Sequence, residues 1–464
     1  MHNMRGSKSR VAASFLSRAS TIAPPGYDRF QVPPTALAVH LSIGQAYALS
    51  IFYLPLTRII GITHSAPGDW RLADVGGILT VAIAVLGLSA ATFARWVEQA
   101  GPRLSMLVAA VCFGSGFIVA AIGVHYHLLW LLYLGYGVIG GCGLGIGYIS
   151  PVSVLIQWFS DRPGMASGMA LAGFPGGALI AAPLSVLLMN HFRTAISNGV
   201  LESFVTMGVM YFMFMMIGVY AVRVPADDLK PAGTSPGSAP SQSQVAIDAA
   251  WRTPQFWLLW GVLGTLATSG IGVLEQVSRL IAQILDGRVT PSADAGFAGL
   301  ISLCSMLGGF LWASASDIIG RRKSFTILFA LAILLNWALP WSARLHSTAP
   351  FVAAFSVLFS LYGGGFTTIV AYVRDVFGSM HVGAIHGRLL TAWSVAAILG
   401  PALFGFIRDY AIDAGVAKAQ AYTVAFPGLS LLLLIGLVCN LCMRPVSEKY
   451  HHRETAPSSR GQHS

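Results

Sequence analysis

The sequence predicts an all-α membrane protein, twelve transmembrane helices in two pseudo-symmetric six-helix halves, and three observations carry that prediction. Of 464 residues, 55% are hydrophobic and 10% charged, too few charged side chains to cover a soluble globule of this size. Twelve separate stretches are long and apolar enough to cross a bilayer, which takes about 20 mostly apolar residues each. A single sequence offset relates loops of the first half to loops of the second. A soluble enzyme, a disordered scaffold and a disulfide-rich secreted domain are excluded.

Residues 1–33 carry Arg5, Lys8, Arg10, Arg18 and Arg29 but no apolar core of the signal-peptide kind. They read as a cytoplasmic tail. The first half, 34–223, holds apolar stretches at 34–60, 74–97, 104–124, 127–152, 164–190 and 205–223. The fourth contains the glycine-dense run 135–151, which lies inside a hydrophobic span and lacks the βαβ setting of a dinucleotide site. Small residues there let helix backbones approach closely, and Pro151 is expected to kink the span. Residues 224–255, rich in Pro, Ser and Gly, form a flexible cytoplasmic linker. The second half, 256–443, repeats the pattern at 256–283, 296–316, 324–342, 349–373, 386–407 and 423–443, with Gly363, Gly364 and Gly365 a soft point in the tenth span. Residues 444–464 are a second cytoplasmic tail. The five cysteines show no metal-ligand spacing and read as buried small hydrophobes.

Charge sets the orientation. Of 28 Lys and Arg, 20 fall in the two tails, the linker and alternate loops, against 8 on the other side. Basic residues are retained on the cytoplasmic side, so both termini are cytoplasmic, and the net charge of +10 reports topology and not nucleic acid.

The loop after the second span, "ARWVEQAGPR", superimposes on that after the eighth, "ASASDIIGRR", at an offset of 219 residues: Glu98 falls on Asp317, Gly101 on Gly320 and Arg103 on Arg322. The same offset carries Gly164 onto Gly383 and Gly168 onto Gly387. Tandem duplication follows, and two parallel six-helix repeats are the architecture of a large class of transporters that hold substrate between the halves. A carboxylate at one helix end can meet a helix N-terminus or an arginine across the cytoplasmic face. Glu98, Arg103, Asp317, Arg321 and Arg322 are therefore candidates for a conformational latch; the plainer reading is that they are charged turn residues.

With these features, the chain resembles the major facilitator superfamily over essentially its full length. Segments 40–61, 147–180, 251–276 and 377–403 are similar to the oxalate/formate antiporter family, which is related to monocarboxylate transporters. The resemblance implies the major-facilitator fold and transport of small carboxylates by anion exchange or with a proton. Two departures bear on substrate. Where the family often has an arginine in the eighth span, this chain has Gly309, and where oxalate exchangers resemble Thr-Ala-Lys in the eleventh, it has Thr391, Ala392 and Trp393. An unpaired carboxylate in a low-dielectric cavity costs several kcal/mol, so a dianion such as oxalate is the least expected family substrate.

Ionisable groups inside spans are functional candidates by default. Glu275 and Arg279 stand at i,i+4 on one face of the seventh span: Arg279 as anion anchor and Glu275 as proton carrier, or else a solvated pair at the extracellular mouth. His40 is a second proton-coupling candidate, with a packing role the alternative; His386 has a weaker claim. By resemblance, Gln45, Tyr47, Tyr148 and Tyr362 line the cavity with neutral donors, joined by Trp393, and packing is their alternative role.

The chain thus reads as a monomeric secondary active transporter of the inner membrane, carrying a small organic anion, a monocarboxylate, by alternating access with protons or a counter-anion. A carrier of neutral or zwitterionic solutes and a transport-inactive solute sensor are the alternatives. No cofactor is implied, no P-loop motif suggests ATP drive, and no clustered catalytic set suggests an enzyme.

Overall fold

The computed structural model describes residues 15–226, 244–274, 291–342 and 349–450. Among them, twelve helices are long and apolar enough to span a membrane. The first half comprises α1 (Arg29–Leu56), α2 (Leu72–Ala100), α3 (Pro102–His125), α4 (Leu129–Trp158), α5 (Pro163–Phe192) and α6 (Val200–Ala221). The second comprises α7 (Pro254–Leu274), α8 (Gly299–Ile319), α9 (Arg321–Ser342), α10 (Ala349–Phe377), α11 (Val382–Asp413) and α12 (Val424–Leu441). The described stretches of the tails and linker meet at one end of the bundle, here the terminal face: Ile22 bridges Val224, the Val245 N–H bonds Phe377 O, and Gln255 bonds Pro445 O.

The duplication is visible in backbone detail. Gly101 and Gly320 end α2 and α8 with φ of 84° and 92°, left-handed values that a Cβ disfavours. Each donates its N–H four residues back, Gly101 to Val97 O and Gly320 to Ser316 O. Pro102 and Arg321 then open the next helix.

Each half packs within itself through small residues. A Cβ at Gly143 of α4 would lie 2.6 Å from the Phe113 backbone N of α3, and one at Gly116 would lie 2.7 Å from Gly135 O. The glycine run therefore brings α3 and α4 together, as close helix approach in lipid requires. At Tyr133–Gly140 the helix widens to a π turn, and α1 tightens to 3-10 geometry over Gly44–Phe52. The tenth span, by contrast, is one unbroken helix through Gly363, Gly364 and Gly365. Gly363 and Gly364 seat α8 against it, a Cβ at Gly364 meeting that of Trp312 at 2.6 Å, while Gly365 faces Leu266 of α7.

Large apolar side chains such as Leu187, Met213, Leu334, Trp337 and Phe406 cover the outer surface, where lipid is their solvent. The same surface explains the cysteines: four are half-buried and Cys442 is exposed, so apolar surroundings do not require the core. The halves meet where α2 packs on α11 and α5 on α8, pairs that the 219-residue offset interchanges.

Candidate functional site

Two carboxylates cross the interface at the terminal face. Asp317, at the end of α8, accepts the N–H groups of Gly164 at 2.8 Å and Met165 at 2.9 Å, the first turn of α5. Glu98, its counterpart at the end of α2, accepts the Ala384 N–H at 3.1 Å in the first turn of α11, and the His381 imidazole Nδ1 at 3.1 Å. A helix N-terminus presents unpaired N–H groups and the positive end of the helix dipole, so each carboxylate caps a helix of the opposite half.

The arginines of the same loops divide. Arg321 pairs with Asp317 and lies 2.9 Å from Asp375 of α10. Its counterpart in the first half is Pro102, so Glu98 lacks the equivalent of Arg321 and its carboxylate bonds the His381 side chain of the other half. Arg103 and Arg322 do not reach the opposite half. Arg103 donates to Val219 O at 3.1 Å and to Phe15 O at 2.7 Å, and Arg322 donates to Leu441 O. Both sit on the last carbonyls of their own half's sixth helix, where the dipole favours a cation.

Further bonds close the same face. Arg374 donates to Ser160 O at 2.6 Å across the halves. Asp248, in a helical turn of the linker (Ile247–Ala250), bridges Arg95 of α2 and Arg388 of α11. Its hydrogen bond to Arg388 is the first cause holding its carboxyl below the ordinary carboxylate range, with Arg95 adding to it.

Deeper in the interface an aromatic cluster spans both halves. Tyr148 of α4 packs edge-on to His40 of α1 at 5.6 Å and to Trp393 of α11 at 5.2 Å between ring centres. Phe174 of α5 lies 5.6 Å from Trp393 and 5.0 Å from Tyr47, and Phe366 of α10 closes on Trp393 at 4.8 Å. Tyr148 also faces His386 at 6.0 Å. Tyr47, Tyr148 and Trp393 are thus brought together with His40. Phe174 and Phe366 are additions; the 219-residue offset that carries Phe174 onto Trp393 was a usable signal for the first.

Hydrogen bonds fix several of the sequence candidates within their own half. Gln45 accepts the Tyr136 hydroxyl at 2.7 Å, and Tyr362 bonds Ser269 at 2.8 Å, each within its own half. His40 Nδ1 donates to Ala36 O at 3.1 Å, one turn back. Glu275 and Arg279 lie outside the described residues. Gly309 faces the interface: a Cβ there would lie 3.1 Å from Thr367 Cγ2 and 3.8 Å from Ala172 Cα of the opposite half. Tight packing with Thr367, whose hydroxyl donates to Gly309 O at 2.7 Å, occupies the ground where the family's arginine would stand.

The family model described as Major Facilitator Superfamily matches residues 35–285 and 278–461. Among curated proteins, the chain is 24% identical to the oxalate:formate antiporter of Oxalobacter formigenes, over 78% of this chain and 80% of that protein. It is 24% identical to apicoplast pyruvate carrier 1 of Toxoplasma gondii (83% and 78%) and 23% identical to monocarboxylate transporter 4 of Rattus norvegicus (84% and 78%). Among solved structures, the proton:xylose symporter XylE superimposes with a TM-score of 0.65 at 13% identity, covering 91% of this chain and 95% of that one. Fold, repeat and family model agree: the chain belongs to the major facilitator superfamily and is a membrane transporter, not an enzyme.

Proposed function

We propose that this transporter carries a small monocarboxylate by alternating access of its two six-helix halves, 34–223 and 256–443, in the inner membrane with the terminal face cytoplasmic. The observation that carries the reading is the pair of related latches, Glu98 on the α11 N-terminus and Asp317 on the α5 N-terminus. A protein that rocks between two states needs contacts made in one and broken in the other. Opening that face exchanges the four cross-interface hydrogen bonds to these two carboxylates for bonds to water.

The aromatic cluster supports the substrate class. Tyr47, Tyr148 and Trp393 offer apolar walls with polar tips, suited to a small anion with a short carbon skeleton. Gln45 and Tyr362 act behind it by bracing their own halves. Proton coupling is assigned to His40 and Glu275, and a further anion contact to Arg279; the last two lie outside the described residues. The related oxalate:formate antiporter, pyruvate carrier and monocarboxylate transporter support a carboxylate, and proton coupling or counter-anion exchange are both compatible with it.

One observation favours a second reading: the side chains gathered around Trp393 are aromatic and carry no fixed charge, which suits a neutral or zwitterionic solute. Counterflow distinguishes the two. Liposomes loaded with unlabelled lactate should accumulate labelled lactate transiently if the proposal holds; accumulation only when a neutral amino acid is loaded and labelled would favour the second reading.

A further inference from the structure

His386 and Trp393 are seven residues apart on α11, on either side of a turn at Leu390 that separates the helical segments Val382–Leu389 and Thr391–Asp413. Both rings lie against Tyr148 of the opposite half. Each is only 1% exposed. Neither nitrogen of the His386 ring, nor the Trp393 indole Nε1, makes a hydrogen bond with the protein. Buried polar groups are nearly always paired, and those that are not call for an explanation.

Duplication does not supply one. The residues 219 positions earlier are Ser167 and Phe174. Ser167 satisfies its hydroxyl on Gly164 O at 2.9 Å, and phenylalanine has no donor. The pair of N–H-bearing rings therefore belongs to the second half alone, placed where the two halves meet.

We propose that His386 and the Trp393 indole N–H together bind the carboxylate of the transported monoanion, an assignment that rests on the monocarboxylate reading above. Two N–H donors packed against the same Tyr148 ring match an acceptor-only carboxylate, and ring donors orient it without a fixed cation. Phe174, Phe366 and Tyr148 then surround a short apolar tail. A dicarboxylate, whose second charge would enter an aromatic wall, is disfavoured.

The position of His386 ties binding to the gate. It lies two residues after Ala384 and five after His381, both of which hold Glu98, and two before Arg388, which holds Asp248. Substrate bound to His386 thus acts on the same helical segment, Val382–Leu389, that fastens the terminal face.

The test uses the full-length protein in detergent and in proteoliposomes, with labelled L-lactate as probe and lactamide, its neutral isostere, as competitor. The variants are His386→Leu, His386→Gln and Trp393→Phe. The expected result is a loss of about tenfold or more in lactate affinity for His386→Leu and Trp393→Phe. Glutamine, which retains an N–H donor, should stay within about threefold of the parent, and lactamide binding should change little in any variant. If His386→Leu fails to fold, Trp393→Phe, which keeps the aromatic body, carries the test. Parent transport of lactate with undiminished affinity in both deletion variants would overturn this assignment and leave the monocarboxylate reading standing. A parent protein that neither binds nor moves lactate, formate or pyruvate would remove that reading, and this assignment with it.

Discussion

Asp317 accepts the backbone N–H of Gly164 at 2.8 Å across 153 residues of sequence and across the interface between the halves. With the Met165 N–H it forms a two-point cap, 14% exposed at the side chain. Each such charge-assisted bond is worth about 1.5–3 kcal/mol. Asp317→Ala is therefore expected to shift the population toward the state open at the terminal face by about tenfold or more. Thiol labelling of Ser153→Cys, beside Gly383 on that face, reads the shift once the five native cysteines are replaced. Unchanged labelling in both Asp317→Ala and Glu98→Ala would remove the latch assignment.

Arg321 joins two carboxylates, Asp317 and Asp375, and is itself 7% exposed. Arg321→Ala leaves both without their shared cation and should cost about 3 kcal/mol, the low end for breaking a buried ion pair because Asp375 is partly in water. Lysine should restore less than half, since its compact ammonium lacks the planar guanidinium that presents Nε to Asp375 and Nη2 to Asp317. Thermal unfolding in detergent measures both; a lysine variant as stable as the parent would contradict the bridging geometry.

On the opposite face, the loop between α1 and α2 folds around Asp69, which accepts N–H groups from Ile60 at 2.8 Å, Gly61 at 3.1 Å and Ala66 at 2.8 Å. Burial pushes this carboxyl up, but the three donors, with His127 nearby, outweigh it and hold it below the ordinary carboxylate range. A depressed folded value means that the stabilisation is present above the unfolded pKa of about 3.9 and is lost as pH falls through the folded one. The parent loop should stay fully protected from hydrogen exchange down to about pH 4 and lose that protection as pH falls further, through the depressed folded value, whereas Asp69→Ala should be open throughout. Equal protection of the two at neutral pH would refute this.

Gly309 is confined by Thr367 and looks toward Ala172. Arginine there needs room, so Gly309→Arg combined with Thr367→Ser is the informative variant. A cation at this position should raise competition by oxalate relative to lactate by about tenfold, the effect of one charge-assisted contact. An unaltered ratio in a folded variant would show that position 309 does not address the substrate.

The cross-half contacts of Glu98 and Asp317 were legible because a repeated acidic-x-x-Gly spacing at the polar ends of α2 and α8 is conspicuous against apolar spans. Arg103 and Arg322 share that spacing, yet they reach carbonyls of α6 and α12, more than a hundred residues away, and Arg103 also reaches Phe15 O of the N-terminal tail; no spacing within one loop reveals these partners. The aromatic cluster was half legible. Tyr47, Tyr148 and Trp393 carry polar atoms that draw attention within a span, whereas Phe174 and Phe366 look like any lipid-facing or core phenylalanine. In a bilayer both faces of a helix are apolar, so periodicity cannot separate the interface from the lipid surface. Gln45 and Tyr362 show the converse: a polar side chain in a span pairs as readily inside its own half as across the interface.

The measurement that bears most directly on the account is uptake of labelled formate, lactate, pyruvate, oxalate and one neutral amino acid into proteoliposomes containing only this protein, with and without an inward proton gradient. Entry of a monocarboxylate, faster than oxalate and accelerated by the gradient or by an internal counter-anion, is the result predicted. Entry of the amino acid alone, or of none of the five under any gradient, would contradict it.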